Sequence, residues 1–355
     1  RSVRFAQSAD VIYFAHPAYP PCKLSRYSDN DWRWETLTFM PSIAAPQTPA
    51  LQILDKRADD DKPKNPSRTD YSYLVTAIDG ETGEESSASP AATIEAEALN
   101  SVDYHIRITW PAVSGASEYR IYKKKTGVFG FIGRASKDDT ITETTKLQYY
   151  DDKNIGADTE DTPIEHKNPF EGSGNYPSQV FFHQQRLGFA ATANRPITIW
   201  LSRTGDFESM ASSVPPKDDD AIEVTLAATQ ANRIVWLQPD RNALAFGTEG
   251  SEWTLQSSEG VVLTPSTVSF QLQTTNGGEG TVSALSVGGG VLYVQRGSGA
   301  VREFVYNYSA DKYLGQDLTI LARHIIKDRD ITAWAYQQEP YSTLWCVLSD
   351  GTFAG

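Results

Sequence analysis

The sequence predicts an all-β protein in which a β-propeller-like domain is interrupted by an inserted β-sandwich. Three observations lead there. Short alternating apolar runs are separated by Gly, Pro, Asn and Asp along most of the 355 residues, the pattern of strands and turns. The chain carries 17 Tyr, 14 Phe and 8 Trp against 2 Met, and flat rings suit a half-buried pleated surface. One unit, an apolar strand, a polar turn and an alternating strand with an aromatic, recurs along the chain.

That unit appears five times. Val11–His16 precedes PAYPP and the strand Cys22–Tyr27. Leu187–Ala191 precedes TANRP and Ile197–Ser202. Leu244–Gly247 precedes TEGS and Glu252–Gln256. Val291–Gln295 precedes RGSGA and Val301–Tyr306, and Leu344–Leu348 precedes Ser-Asp-Gly and the start of a further strand. The last four begin at 187, 244, 291 and 344, intervals of 57, 47 and 53 residues. A period near 50 with several strands in each repeat is the signature of propeller blades, which bury their faces only by stacking on neighbours.

The first interval breaks the period. From 11 to 187 the chain runs 176 residues, about 125 more than one period, which is the size of one β-sandwich. The Pro/Ala linker Ile43–Pro49 and the charged loop Asp59–Pro66 mark its beginning; Asp161-Thr162-Pro163, Asn168-Pro169-Phe170, Gly172 and Gly174 mark its end. The expected domains are therefore 1–46, an inserted 47–169, and 170–355, the last apparently truncated.

Within the insert, Tyr71–Asp79 with the turn Gly80–Glu85 and the following SSASP resemble the last hairpin of fibronectin type III modules. Ile106–Pro111 and Tyr119–Tyr122 resemble that family's second and third strands, with Trp110 as core tryptophan, and Tyr149–Asp152 a later strand. The Tyr-x-Tyr strand here comes first instead of last, so the resemblance implies one permuted sandwich or two partial ones. Alternation places Tyr71, Tyr73 and Val75 on one face and Leu74 and Thr76 on the other. The best helical pattern is Asp317–Asp328, with Leu318, Leu321, Ile325 and Ile326 on one face over about three turns.

Net charge is −13, which argues against a basic face that grips nucleic acid. No apolar run approaches the roughly 20 residues that span a bilayer, so a soluble protein without a signal peptide is expected. Cys22 and Cys346 stand in no metal-like spacing and make no disulfide framework; both are expected to be small buried hydrophobes. The opening at Arg1 without Met and the stop at Gly355 just after a strand and turn suggest a fragment.

The chain shows no catalytic or metal constellation, and no catalytic, cofactor-binding or metal residue is assigned. His16, His105, His166, His183 and His324 lack the spacing of ligands or catalytic pairs. Asp59–Asp61 and Asp218–Asp220 lack the alternation and bend glycine of a calcium loop, and are expected to be solvated. Gly277-Gly278-Glu279-Gly280 and Gly288–Gly290 have no following Lys-Ser/Thr and helix, so tight bends are expected, with Glu279 as a residue for a lumen or a neighbouring subunit. Trp32, Trp34, Trp200, Trp253 and Trp334 are expected in the core between blades, with stacking on sugars as the alternative. A glycosidase carboxylate pair is not legible in a sequence.

Four segments together, Ala9–Trp34, Gln179–Ala191, Asn276–Ser283 and Ala335–Asp350, resemble the tail nozzle proteins of short-tailed bacteriophages and prophages, over nearly all of residues 9–354. The resemblance implies a non-enzymatic structural protein with a propeller in each subunit and no cofactor. It implies a homo-hexameric ring at the distal end of the virion tail, contacts with adaptor or portal-proximal proteins and tail fibres, and a lumen through which DNA passes without sequence-specific binding. Assembly would begin in the bacterial cytoplasm. A carbohydrate-binding adhesin or receptor-binding tail protein is the alternative.

Overall fold

A computed structural model describes residues 3–99, 103–140, 147–227, 232–240, 243–260 and 262–355; Arg1, where the sequence opens without Met, lies outside them. The described chain is nearly all-β and forms several separate sheets. It divides into two compact units. One comprises Arg1–Thr38, Asn168–Met210 and Asp218–Gly355, the other Phe39–Lys167 and Ala211–Lys217.

The first unit begins with an antiparallel meander of β1 (Arg4–Ser8), β2 (Val11–His16), β3 (Tyr19–Ser28) and β4 (Asp31–Thr36). Period-2 alternation turns Tyr13 and Ala15 of β2 inward, where both are buried. Phe5, Phe14 and Trp34 fall on the opposite face. The Phe14 ring lies 5.1 Å from Trp34 and 6.5 Å from Phe5, and Phe5 and Trp34 remain exposed.

The second unit contains β5 (Ala50–Asp55), β6 (Arg68–Asp79), β7 (Ala92–Glu97), β8 (Tyr104–Pro111), β9 (Ala116–Lys125), β10 (Val128–Ser136) and β11 (Leu147–Asp152). They form a four-stranded sheet ordered β10-β9-β6-β7 and a three-stranded sheet ordered β11-β8-β5. Tyr73, Val75 and Ala77 of β6, Ile106, Ile108 and Trp110 of β8, and Tyr119 and Ile121 of β9 share one core. The Trp110 ring meets Tyr119 edge-on at 5.3 Å, while Tyr119 accepts a 2.7 Å bond from the Val113 N–H, so the phenol is both packed and satisfied.

Leu74 and Thr76, on the other face of β6, are buried as well. Thr76 and Tyr122 each donate to Glu85 Oε1 at 2.7 Å, and Arg120 pairs with Glu85 Oε2 at 3.0 Å. The turn Gly80–Glu85 brings the chain back along β6 as expected: Ile78 bridges Glu85, and the Ser86 and Ser89 N–H groups donate to the Ala77 and Val75 carbonyls at 2.8 and 2.9 Å. Ser86–Pro90 nevertheless forms no regular strand, and the ladder partners of β6 are β7, with Tyr73 opposite Ala92, and β9. The Ser86 and Ser89 hydroxyls instead accept from the Ala77 and Val75 N–H groups at 2.9 and 3.0 Å. A serine side chain competes well for backbone donors, which lets this segment follow β6 without a regular ladder.

The first unit continues with three four-stranded meanders and a three-stranded one. They are β12 (Gln179–His183), β13 (Arg186–Ala190), β14 (Thr198–Leu201) and β15 (Ile222–Thr225); β16 (Ile234–Asp240), β17 (Ala243–Thr248), β18 (Glu252–Ser257) and β19 (Val268–Thr274); β20 (Leu285–Val287), β21 (Gly290–Val294), β22 (Val301–Asn307) and β23 (Lys312–Asp317). After the short helix α1 (Arg323–Ile326) come β24 (Ile331–Gln337), β25 (Thr343–Leu348) and β26 (Phe353–Ala354). The five apolar runs of the sequence are β2, β13, β17, β21 and β25, the second strand of each sheet, and the strands that follow them are the third. A second strand has partners on both edges. In β13, β17 and β21 every residue is buried, so they read as continuous apolar runs.

Successive sheets share cores. Phe181 and Leu201 pack with Leu244, Phe246 and Leu255. Trp236 and Ala245 pack with Val291, Tyr293 and Phe304, and Val294 and Val301 pack with Ile331, Cys346 and Leu348. The first sheet meets the second through Tyr13, whose ring lies 5.8 Å from Phe182. The helix expected over residues 317–328 is a single turn, Arg323–Ile326. Asp317 ends β23 and holds Thr319 and Arg323 through its carboxylate. Ile326 enters the core, but Leu321 is 92% exposed. A short helix without a fully buried face does not propagate.

Candidate functional site

In the first unit, the strand that opens each sheet, β1, β12, β16, β20 and β24, is also an edge strand. All five line one cavity of about 610 Å³. An edge strand leaves a row of backbone N–H and C=O groups without ladder partners, and side chains of three of these strands bond from one sheet to the next. Arg4 of β1 donates to the Gly280 carbonyl at 2.9 Å and to Ser283 Oγ at 2.5 Å. Gln179 of β12 donates to the Val235 carbonyl at 3.2 Å. Trp334 of β24 donates to the Ser283 carbonyl at 2.7 Å. Among the described residues Arg4 is the one ionisable side chain in the lining, and desolvation holds its guanidinium below the ordinary arginine value.

The segment Asn276–Gly280 joins the third and fourth of these sheets. The Gly278 N–H donates to the Thr248 carbonyl at 2.8 Å. A Cβ on Gly278, or on Gly247 of β17, would enter the Trp236 indole. Gly277 has φ +75° and its missing Cβ faces the Glu249 carbonyl, so close backbone approach is what these glycines provide. Glu279 is half-buried, and its Oε1 accepts from the Gly280 N–H at 3.0 Å and from the Thr281 hydroxyl.

The other residues singled out in the sequence are dispersed. Asp59–Asp61 is an exposed turn in which Asp59 pairs with Lys62. In Asp218–Asp220 the first two residues are exposed, as expected, but Asp220 is fully buried, the Asp218 and Asp220 carbonyls accept from Arg186 at 2.8 and 2.6 Å, and Arg203 pairs with Asp219. Arg186, 1% exposed, carried no motif that could have flagged it. His183 is buried in β12, and burial pushes its pKa down to about 4. His105 is buried 3.7 Å from Asp151. His16 accepts from the Ala18 N–H, His166 lies in the inserted unit, and His324 is exposed on α1. Among the described residues no group of three or more His, Cys, Asp or Glu is placed to hold a metal ion.

Trp200 is in the core, 5.3 Å from Phe170. Trp253 and Trp334 are half-buried. Trp32 and Trp34 are exposed on β4, not between sheets as expected; the Trp34 ring packs within its own sheet, 5.1 Å from Phe14. Cys346 is buried, which raises its thiol pKa, and Cys22 is half-buried, its Sγ 3.1 Å from the Pro20 carbonyl. No described helix is long and apolar enough to cross a membrane.

A succession of meander sheets that share cores and meet through their first strands defines a repetitive all-β protein. Residues 172–329 match the family model of the bacteriophage nozzle protein, and this match supports a phage tail nozzle protein, a structural component that assembles with other parts of the tail. The matched stretch holds the second, third and fourth sheets of the first unit. No curated protein matches the chain. Among solved structures, the crystal structure of the computationally designed Ika8 protein is similar at 14% identity, covering 98% of this chain and 81% of that one, with a TM-score of 0.29; at that score the likeness carries no argument.

Proposed function

We propose that the chain is a non-enzymatic subunit of a nozzle ring, part of the conduit through which a short-tailed phage ejects its DNA. The family match over residues 172–329 carries this reading. The five sheets are then blades of a propeller-like domain, which accounts for the convergence of their first strands on one cavity. The second unit is a fibronectin type III-like sandwich inserted between the first and second blades. Its sheets of three and four strands, with β6 paired to both β7 and β9, support one permuted module over two partial ones. The subunit contacts itself in a homo-hexamer, adaptor or portal-proximal proteins above, and tail fibres. The net charge of −13 suits a wall that DNA slides past.

Electron microscopy of the protein with its tail partners tests this. Six-fold rings with a central channel are expected, and a protein that stays monomeric in their presence overturns the reading. A second reading, a glycan-binding tail protein, is favoured by Trp32 and Trp34, exposed on alternate positions of β4 where two rings face the same way. Glycan binding lost in Trp32→Ala and Trp34→Ala would select it.

A further inference from the structure

We propose that the cavity between the five first strands is a binding site for a small oxyanion, a phosphate- or carboxylate-bearing molecule, anchored on Arg4. The cavity's charge is the first argument. The chain has 45 Asp and Glu against 32 Lys and Arg, yet among the described residues no carboxylate lines this cavity and its one ionisable side chain is a cation. An arginine drawn in from water normally meets a carboxylate. Arg4 meets only the neutral acceptors Gly280 O and Ser283 Oγ, and no ion pair to it forms among the described residues.

The unused donors are the second argument. A guanidinium has five N–H groups in a rigid fork that matches an oxyanion with two parallel bonds. Two of the five are engaged, so donors remain for a ligand. The Ser283 hydroxyl accepts from Arg4 and keeps its own proton to donate. The Gln238 amide, on β16 in the same lining, meets no protein partner among the described residues. The edges of the five strands add backbone N–H groups.

The walls are the third argument. Phe182, Pro239 and Trp334 line the space, and apolar walls of low dielectric constant strengthen a charge pair relative to water. A volume of about 610 Å³ holds a molecule of metabolite size. The assignment to an oxyanion is independent of whether the chain assembles into a ring.

Isothermal titration calorimetry of the 355-residue chain with inorganic phosphate, and separately with succinate, at constant ionic strength tests the proposal. Saturable binding is expected for at least one, weakened at least about tenfold in Arg4→Gln, the size of a lost charge-assisted bond. Ser283→Asp places a carboxylate beside Arg4 and should abolish binding while leaving the fold intact, so loss of binding does not depend on a variant that unfolds. Phosphate alone, succinate alone or both would each support the site and tell which head group it prefers. No saturable heat with either, or equal binding by wild type and Ser283→Asp, overturns it.

Discussion

The indole of Trp236 stacks on the ring of Tyr293, centroids 4.9 Å and planes 25° apart, and the two rings belong to neighbouring sheets. Gly247 and Gly278 close against the same indole with no room for a Cβ. Neither glycine has a positive φ, so sterics alone excludes alanine. Gly247→Ala and Gly278→Ala should each destabilise the protein by about 1–3 kcal/mol through overpacking. Gly156, whose missing Cβ faces open space, is the control: Gly156→Ala should leave the thermal midpoint unchanged. Equal midpoints for all three would show that the indole yields freely.

His183 gives the fold an acid-sensitive element. Its pKa falls from 6.5 to about 4 on burial, so the folded state keeps the ring neutral and the unfolded chain binds the extra proton. Its contribution is complete above the unfolded value and declines as pH drops from about 6.5 towards 4, by about 3 kcal/mol in all. His183→Asn should lack this share. The stability difference between wild type and variant should therefore shrink as pH falls through that window in urea titrations, and a constant difference would refute the assignment.

Asp152, fully buried, accepts from Tyr73 at 2.6 Å and pairs with Lys123 at 2.7 Å. Lys123→Met leaves a buried carboxylate without its cation and should cost about 3–5 kcal/mol in chemical denaturation. Tyr73→Phe removes one bond and should cost about 1–3 kcal/mol. Replacing both charges, as in Lys123→Met with Asp152→Leu, should recover much of the loss.

Arg186 holds the Ser202, Asp218 and Asp220 carbonyls. Arg186→Met keeps the stem but removes all three bonds, and should release the loop after Lys217. Faster tryptic cleavage at Lys217 in the variant is the expected readout; an unchanged rate would mean that Arg203 and Asp219 suffice.

Much of the fold was legible because strand burial leaves a local imprint. Leu187–Ala191, Leu244–Gly247 and Val291–Gln295 are apolar at nearly every position because second strands are covered on both faces and paired on both edges. First and fourth strands, with one edge open, alternate weakly: β20 spans three residues and β4 is largely exposed. The apolar spacing of 317–328 resembled a helix because periodicity does not report whether anything covers the face.

The sequence by itself determined the all-β class and the recurring pair of second and third strands, since these depend on alternation and spacing along the chain. Only the tertiary structure brought Arg4 to Gly280 and Ser283, Arg186 to the Asp218–Asp220 carbonyls, and Gly278 to Trp236. Those contacts join residues up to 279 positions apart. What selects each residue is the neighbour it meets, and a neighbour that distant leaves no periodic trace in the chain.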